Sequence, residues 1–179
     1  MRLIFLVLTL SLLAGCGGIT LEESNPANVD FSGEWILDFS RSDVAPDLRP
    51  GREGTRRSRD QRRQQREEIL GASGSGLAFV SHDFQVLRAD KLSIELNHDS
   101  MGVRYKPGVY RDISWGERQR GLWEVYSGWE AGELVVISSA RDLRVIERIR
   151  RQGDDLLVSV TIRADGEERQ VNRIFRKAS

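Results

Sequence analysis

Two histidines and one cysteine are the scarce reactive side chains of this 179-residue chain, and each has a distinctive neighbourhood. His82 and His98 are each followed directly by a carboxylate, Asp83 and Asp99. If neighbouring strands aligned the two pairs, two imidazoles and two carboxylates could hold zinc or another divalent ion. Polar residues at strand ends account for the same pattern without a metal. A second group is aromatic: Tyr105, Tyr110, Trp115, Trp123, Tyr126 and Trp129 fall close together in the chain. Such rings could line an apolar cavity with a polar mouth, or they could simply fill the inside of a small barrel. Other chemistry is excluded. No Gly-x-Ser-x-Gly occurs, so there is no serine elbow, and the Gly/Ser run at residues 71–76 lacks the lysine and the preceding strand of a phosphate-binding loop. The carboxylates form no readable catalytic pair, and no cofactor is expected.

Cys16, the only cysteine, stands at the end of an addressing signal. Met1-Arg2 is followed by an apolar run over residues 3–13, which has the basic start and short hydrophobic centre of a secretory signal. That run is shorter than the roughly 18–20 apolar residues a membrane-crossing helix requires. Leu13-Ala14-Gly15-Cys16 resembles a bacterial lipobox. The resemblance implies that residues 1–15 are removed, that the Cys16 thiol carries diacylglycerol, and that the mature chain is a Gram-negative lipoprotein. Gly17 and Gly18 follow where an aspartate would retain such a protein at the inner membrane, which implies an outer-membrane anchor facing the periplasm. Two or three acyl chains give stable attachment where a single one is marginal. With Cys16 acylated, no thiol remains for a disulfide, a nucleophile or a metal.

The rest of the chain has the size of one domain. Basic and acidic residues balance, 27 against 27, which argues against a nucleic-acid partner for the whole. Residues 16–30 contain Gly, Ser, Asn and Pro and are expected to form a flexible tether. The folded unit is expected over 31–179. Within it, residues 49–68 stand apart, with Arg56, Arg57, Arg59, Arg62, Arg63 and Arg66 among eight arginines against four acidic residues. No apolar residue lies between Thr55 and Ile69, so this arm is expected to be a solvent-exposed helix or a disordered insertion. Together with the Gly/Ser linker it occupies residues 49–76.

Alternation with a period of two dominates the remainder. Trp35, Leu37 and Phe39 share one face of the first predicted strand, over 31–39, while Glu34 and Asp38 take the other. Further strands are predicted over 84–88, 92–96, 103–105, 109–115, 121–129, 134–139, 143–151, 156–163 and 167–176. Turn residues separate them every 8–12 residues or so, the spacing of an all-β up-and-down antiparallel meander of about 9–10 strands. A sheet of that size tends to curl and close, which pairs the first strand with the last.

Gly33-Glu34-Trp35 supplies the Gly-x-Trp that opens the lipocalin-like, or calycin, barrels, and the chain resembles an uncharacterised Gram-negative lipoprotein with such a domain. The resemblance implies that an arginine near the chain end packs over Trp35, and Arg173 or Arg176 could supply it. It also implies a non-enzymatic protein whose barrel binds a hydrophobic small molecule or lipid, the candidate lining being Tyr105, Tyr110, Trp115, Trp123 and Tyr126. The alternative is a solid barrel with a structural or interaction role, whose Arg-rich arm meets anionic lipid or an acidic partner.

Overall fold

The computed structural model describes residues 19–44, 80, 82–164 and 166–178. Cys16, the signal run and the whole Arg-rich stretch lie outside the described residues. Ten strands form one antiparallel sheet: β1 (Gly33–Leu37), β2 (Lys91–Leu96), β3 (Ser100–Lys106), β4 (Tyr110–Ser114), β5 (Gly116–Arg120), β6 (Trp123–Glu130), β7 (Glu133–Ala140), β8 (Leu143–Gln152), β9 (Asp155–Ala164) and β10 (Glu167–Lys177). Their spatial order is β4-β3-β2-β1-β10-β9-β8-β7-β6-β5, a meander joined by pairing of β1 with β10.

The barrel is nearly closed, with its seam between β4 and β5. Side chains bridge that seam: the Ser127 hydroxyl donates to the Ser114 carbonyl (2.6 Å), and Arg118 donates to the Ser114 hydroxyl (2.9 Å) and to the Asp112 carbonyl. Tight turns close the hairpins. Between β6 and β7, Ala131 (φ 51°) and Gly132 (φ 81°) both adopt the left-handed conformation, the two-residue geometry that matches strand twist.

Alternation decides what is inside. Leu156, Val158, Val160 and Ile162 of β9 are buried, while the intervening Ser159 and Thr161 are half-exposed. Two ends result, closed in different ways. At the end carrying Gly33 and the β2–β3, β6–β7 and β8–β9 turns, Phe31 and Trp115 pack on Trp129 at ring distances of 5.4 and 5.5 Å, and the Trp35 indole donates to the Phe31 carbonyl (2.8 Å). At the opposite end the chain between β1 and β2 folds back as a plug. Val80, Phe84, Leu87 and Ala89 are fully buried there, and a three-residue 3-10 turn spans Gln85–Leu87.

Two strand expectations change. Residues 84–88 are not a strand: Val86 and Leu87, adjacent in sequence, are both buried, which a 3-10 turn permits and a one-faced strand does not. Residues 116–120 are a strand that apolar periodicity cannot reveal, because Gly116, Arg118 and Arg120 are its inward positions.

The tether also differs from expectation. Leu21 is buried, and Glu22 exchanges two 2.9 Å backbone hydrogen bonds with Trp129. The Tyr126 hydroxyl accepts from the Leu21 amide (2.9 Å), and Ile19, Leu21, Val135, Ile137 and Ile146 form an apolar cluster on the outer wall. From residue 19 onward the tether is docked, because Ile19 and Leu21 alternate to one side and Gly128 leaves room for them. A Cβ on Gly128 would fall 2.7 Å from the Glu22 carbonyl oxygen.

Candidate functional site

Inward-facing positions of β3, β4, β5 and β8 bring polar groups together beneath the plug. Arg111 alternates with Ile113 on β4, and Glu147 alternates with Val145 and Ile149 on β8, so the pleat turns both into the interior. They meet across the barrel, with Arg111 Nη1 donating to both Glu147 oxygens at 3.0 and 2.8 Å. Arg111 is 7 % exposed and Glu147 only 1 %, so the pair is desolvated. Burial works against the Arg111 charge, but Glu147 and the Tyr105 hydroxyl outweigh it and hold its pKa above the usual arginine value. Burial pushes the Tyr105 phenol up.

Arg120 is the cation beside this pair. Its Nε and Nη2 are shut off from solvent and have no hydrogen-bond partner among the described residues. Burial, and then the like charge of Arg111, lower its pKa from the ordinary arginine value. The Phe84 ring lies under both guanidiniums, 5.6 Å from Arg111 and 5.7 Å from Arg120, and stands edge-on to Trp123 at 5.1 Å. Cation–π attraction fits that placement, but a neutral ring leaves a surplus cation uncompensated. Asp83 accepts a hydrogen bond from the Trp123 indole (2.7 Å) at the rim. This group thus joins Arg111 with its directly bonded carboxylate, Arg120, and an aromatic ring that the plug supplies.

The sequence-predicted residues separate. Tyr105 and Trp123 are buried in this interior. Trp115 is half-buried at the β4–β5 corner of the other end, where its indole donates to the His98 carbonyl (2.9 Å). Tyr110 and Tyr126 do not line the barrel, because the pleat places both on the outer wall. The former lies against Gly102 and Arg104, and the latter holds the tether.

Nor is the cation over Trp35 an arginine. Lys177 pairs with Trp35 in register and places its Nζ 5.9 Å from the ring centroid. Arg176, one position earlier, points outward to Asp38, and Arg173 donates to the Asp43 and Ala89 carbonyls (3.1 and 3.2 Å) beside the plug. His82 bonds Asp83 at the plugged end, while His98 sits in the β2–β3 turn at the other. The barrel length keeps them apart, and no group of three His, Cys, Asp or Glu that could hold a metal occurs among the described residues. Arg111, Arg120 and Glu147 escape composition and motif, although alternation signals the inward direction of Arg111 and Glu147.

No family model matches this chain, and no curated protein matches it by sequence. Solved structures do match in fold. The chain is similar to the fluorescent protein UnaG, wild type, at 15% identity and a TM-score of 0.51, over 83% of this chain and 97% of that one. It is similar also to apo lipid binding protein 8 of Caenorhabditis elegans, at 14% identity and a TM-score of 0.51, over 83% and 95% of the two chains. The ten-stranded, nearly closed meander is therefore a calycin-like barrel.

Proposed function

We propose that the chain is a lipid-anchored, periplasm-facing binding module, not a catalyst, and that its barrel takes an amphipathic small molecule with an anionic group. Arg120 carries the reading: on this half-exposed side chain, two nitrogens shut off from solvent and unbonded among the described residues are costly to the fold, and a carboxylate or phosphate would satisfy them. Arg111 is already engaged by Glu147, so the surplus charge is focused at Arg120. An apolar tail would take the space now filled by Phe84, Val80 and Leu87, which belong to a segment outside the sheet ladders and can leave without breaking a strand. The lipid binding protein among the similar structures agrees with such a role. Anchoring rests on the lipobox at residues 13–16 and on the glycines after it.

The test compares a long-chain carboxylate with the alcohol of equal length, titrated into the chain from residue 17 onward. The carboxylate should bind the more tightly, and Arg120→Met should weaken it about 10–100-fold while leaving the alcohol unchanged, the usual worth of a charged hydrogen bond. Equal binding of the two compounds to the unaltered chain would overturn the reading. The second reading, a solid barrel whose arm at residues 49–68 meets an anionic surface, is favoured by the complete burial of Phe84 and Leu87. It predicts that neither compound binds.

A further inference from the structure

The docked tether fixes more than its own path. Ile19 is already seated in the apolar cluster on the outer wall of β6, β7 and β8, three residues after Cys16. Three extended residues span at most about 11 Å. Whatever is attached at Cys16 is therefore held within that distance of this wall. A freely moving tether of residues 17–29 would instead reach roughly 20 Å in any direction. We propose that the outer wall of β6–β8 is a membrane-facing surface: the barrel lies on its side against the lipid surface that holds the Cys16 acyl chains, with its long axis along the membrane. The inference rests on the reading of Cys16 as lipidated.

The wall suits such a neighbour. Tyr126, Ile137 and Ile146 continue the apolar cluster around the tether, and Arg144 and Arg148 flank Ile146 on the outward face of β8, Arg148 being ion-paired with Glu130 and Glu133. A half-buried apolar patch bordered by charged side chains of both signs fits the boundary between lipid and water. The opposite wall lacks such a patch: β2 lies five places from β7 in the ten-strand order, and its outward positions are Lys91, Ser93 and Glu95. Exposed Phe39, Val109 and Leu122 at the plugged end are a competing apolar surface. The short link decides against it, because those residues stand at the barrel end remote from the Glu22–Trp129 bridge.

The experiment uses the full chain, matured and lipidated in a Gram-negative host and reconstituted into vesicles containing phosphatidylglycerol. Acylated Cys16 leaves no other thiol, so Ser139→Cys on the tethered wall and Glu95→Cys on the opposite one each take a single nitroxide. Accessibility to a water-soluble relaxing agent should be reduced at residue 139 and unreduced at residue 95. A flexible Gly/Ser insert of about 12 residues between Gly18 and Ile19 adds roughly 20 Å of reach. It should abolish the difference while the chain stays attached. Gly128→Ala, which crowds the Glu22 carbonyl, should do the same by releasing the tether. Equal accessibility at the two labels in an attached chain without the insert would overturn the orientation alone. A chain that never joins the vesicles, or a Cys16→Ser variant that joins them as well as the unaltered chain, would remove the lipid anchor and the orientation with it.

Discussion

The two ends of the barrel are closed by different means. At one, Phe31, Trp35, Trp115 and Trp129 form a sealed aromatic layer, with Trp35 and Trp129 on the strands themselves. At the other, a segment from outside the sheet places Phe84 over two arginines, of which only Arg111 is bonded to a carboxylate. The first arrangement buries no charge; its one unbonded polar atom among the described residues of that layer is the Trp129 indole nitrogen. The second carries a desolvated ion pair and a guanidinium with two nitrogens unbonded among the described residues, which stability alone would select against. The buried charge is concentrated at one end, which is the end where the proposed ligand would act.

Breaking the ion pair should have the largest effect. Glu147→Ala leaves Arg111 buried and unpaired beside Arg120, and should destabilise the domain by about 5 kcal/mol, the upper part of the range for severed buried pairs. Denaturant unfolding measures it, and a loss under about 1 kcal/mol would mean that water reaches Arg111. At the sealed end, Trp35→Ala should cost about 4 kcal/mol through lost burial and a residual cavity; an unchanged melting temperature would show that the aromatic layer is dispensable. Arg120→Met should have the opposite sign. Removing unsatisfied buried donors should stabilise the free protein by about 1 kcal/mol, discounted because the side chain is half-exposed. If it destabilises instead, Arg120 is satisfied in solution and the two ends are less different than they look.

The smallest effect is a pH dependence outside both ends. The Ser40 hydroxyl, then Arg41 and Arg176, hold the Asp38 carboxyl far below the usual carboxylate range. A depressed folded-state pKa contributes stability that is present above the unfolded value of about 3.9 and lost as pH falls toward the folded one. Stability should therefore decline below about pH 4, and Asp38→Asn should flatten that decline in an acid titration followed by circular dichroism. An identical acid profile for the variant would assign the loss to other carboxylates.

Legibility in the sequence follows how each residue earns its place. β9 is plain because four branched or leucine side chains alternate against polar ones, and closure of β1 on β10 follows from the strand count. β5 is invisible because a strand whose inward residues are Gly116, Arg118 and Arg120 has no apolar face. The inward direction of Glu147 can be read between Val145 and Ile149, but its meeting with Arg111, 36 residues away, is a matter of barrel curvature that no local pattern contains. Tyr110 and Tyr126 look like lining residues until the pleat is counted from their buried neighbours Arg111 and Val125, which puts both outside. The docked tether was obscured by Ser24, Asn25 and Pro26, which suggest a loop although Ile19 and Leu21 have already committed the chain to the wall.

The pairing of β1 with β10 also governs how the chain reaches its fold. Trp35 sits opposite Lys177, so the ladder that shuts the barrel joins strands from the two extremities of the domain. Such non-local pairing must meet a large loop-closure entropy before any burial rewards it, and topologies dominated by it fold in milliseconds to seconds. Until β10 is delivered, β1 and β9 both present bare edges, and the aromatic layer around Trp35 has no second wall. An emerging chain is therefore a sticky, open sheet whose edges invite pairing with other chains, and it becomes self-contained only when its last eleven-residue strand arrives.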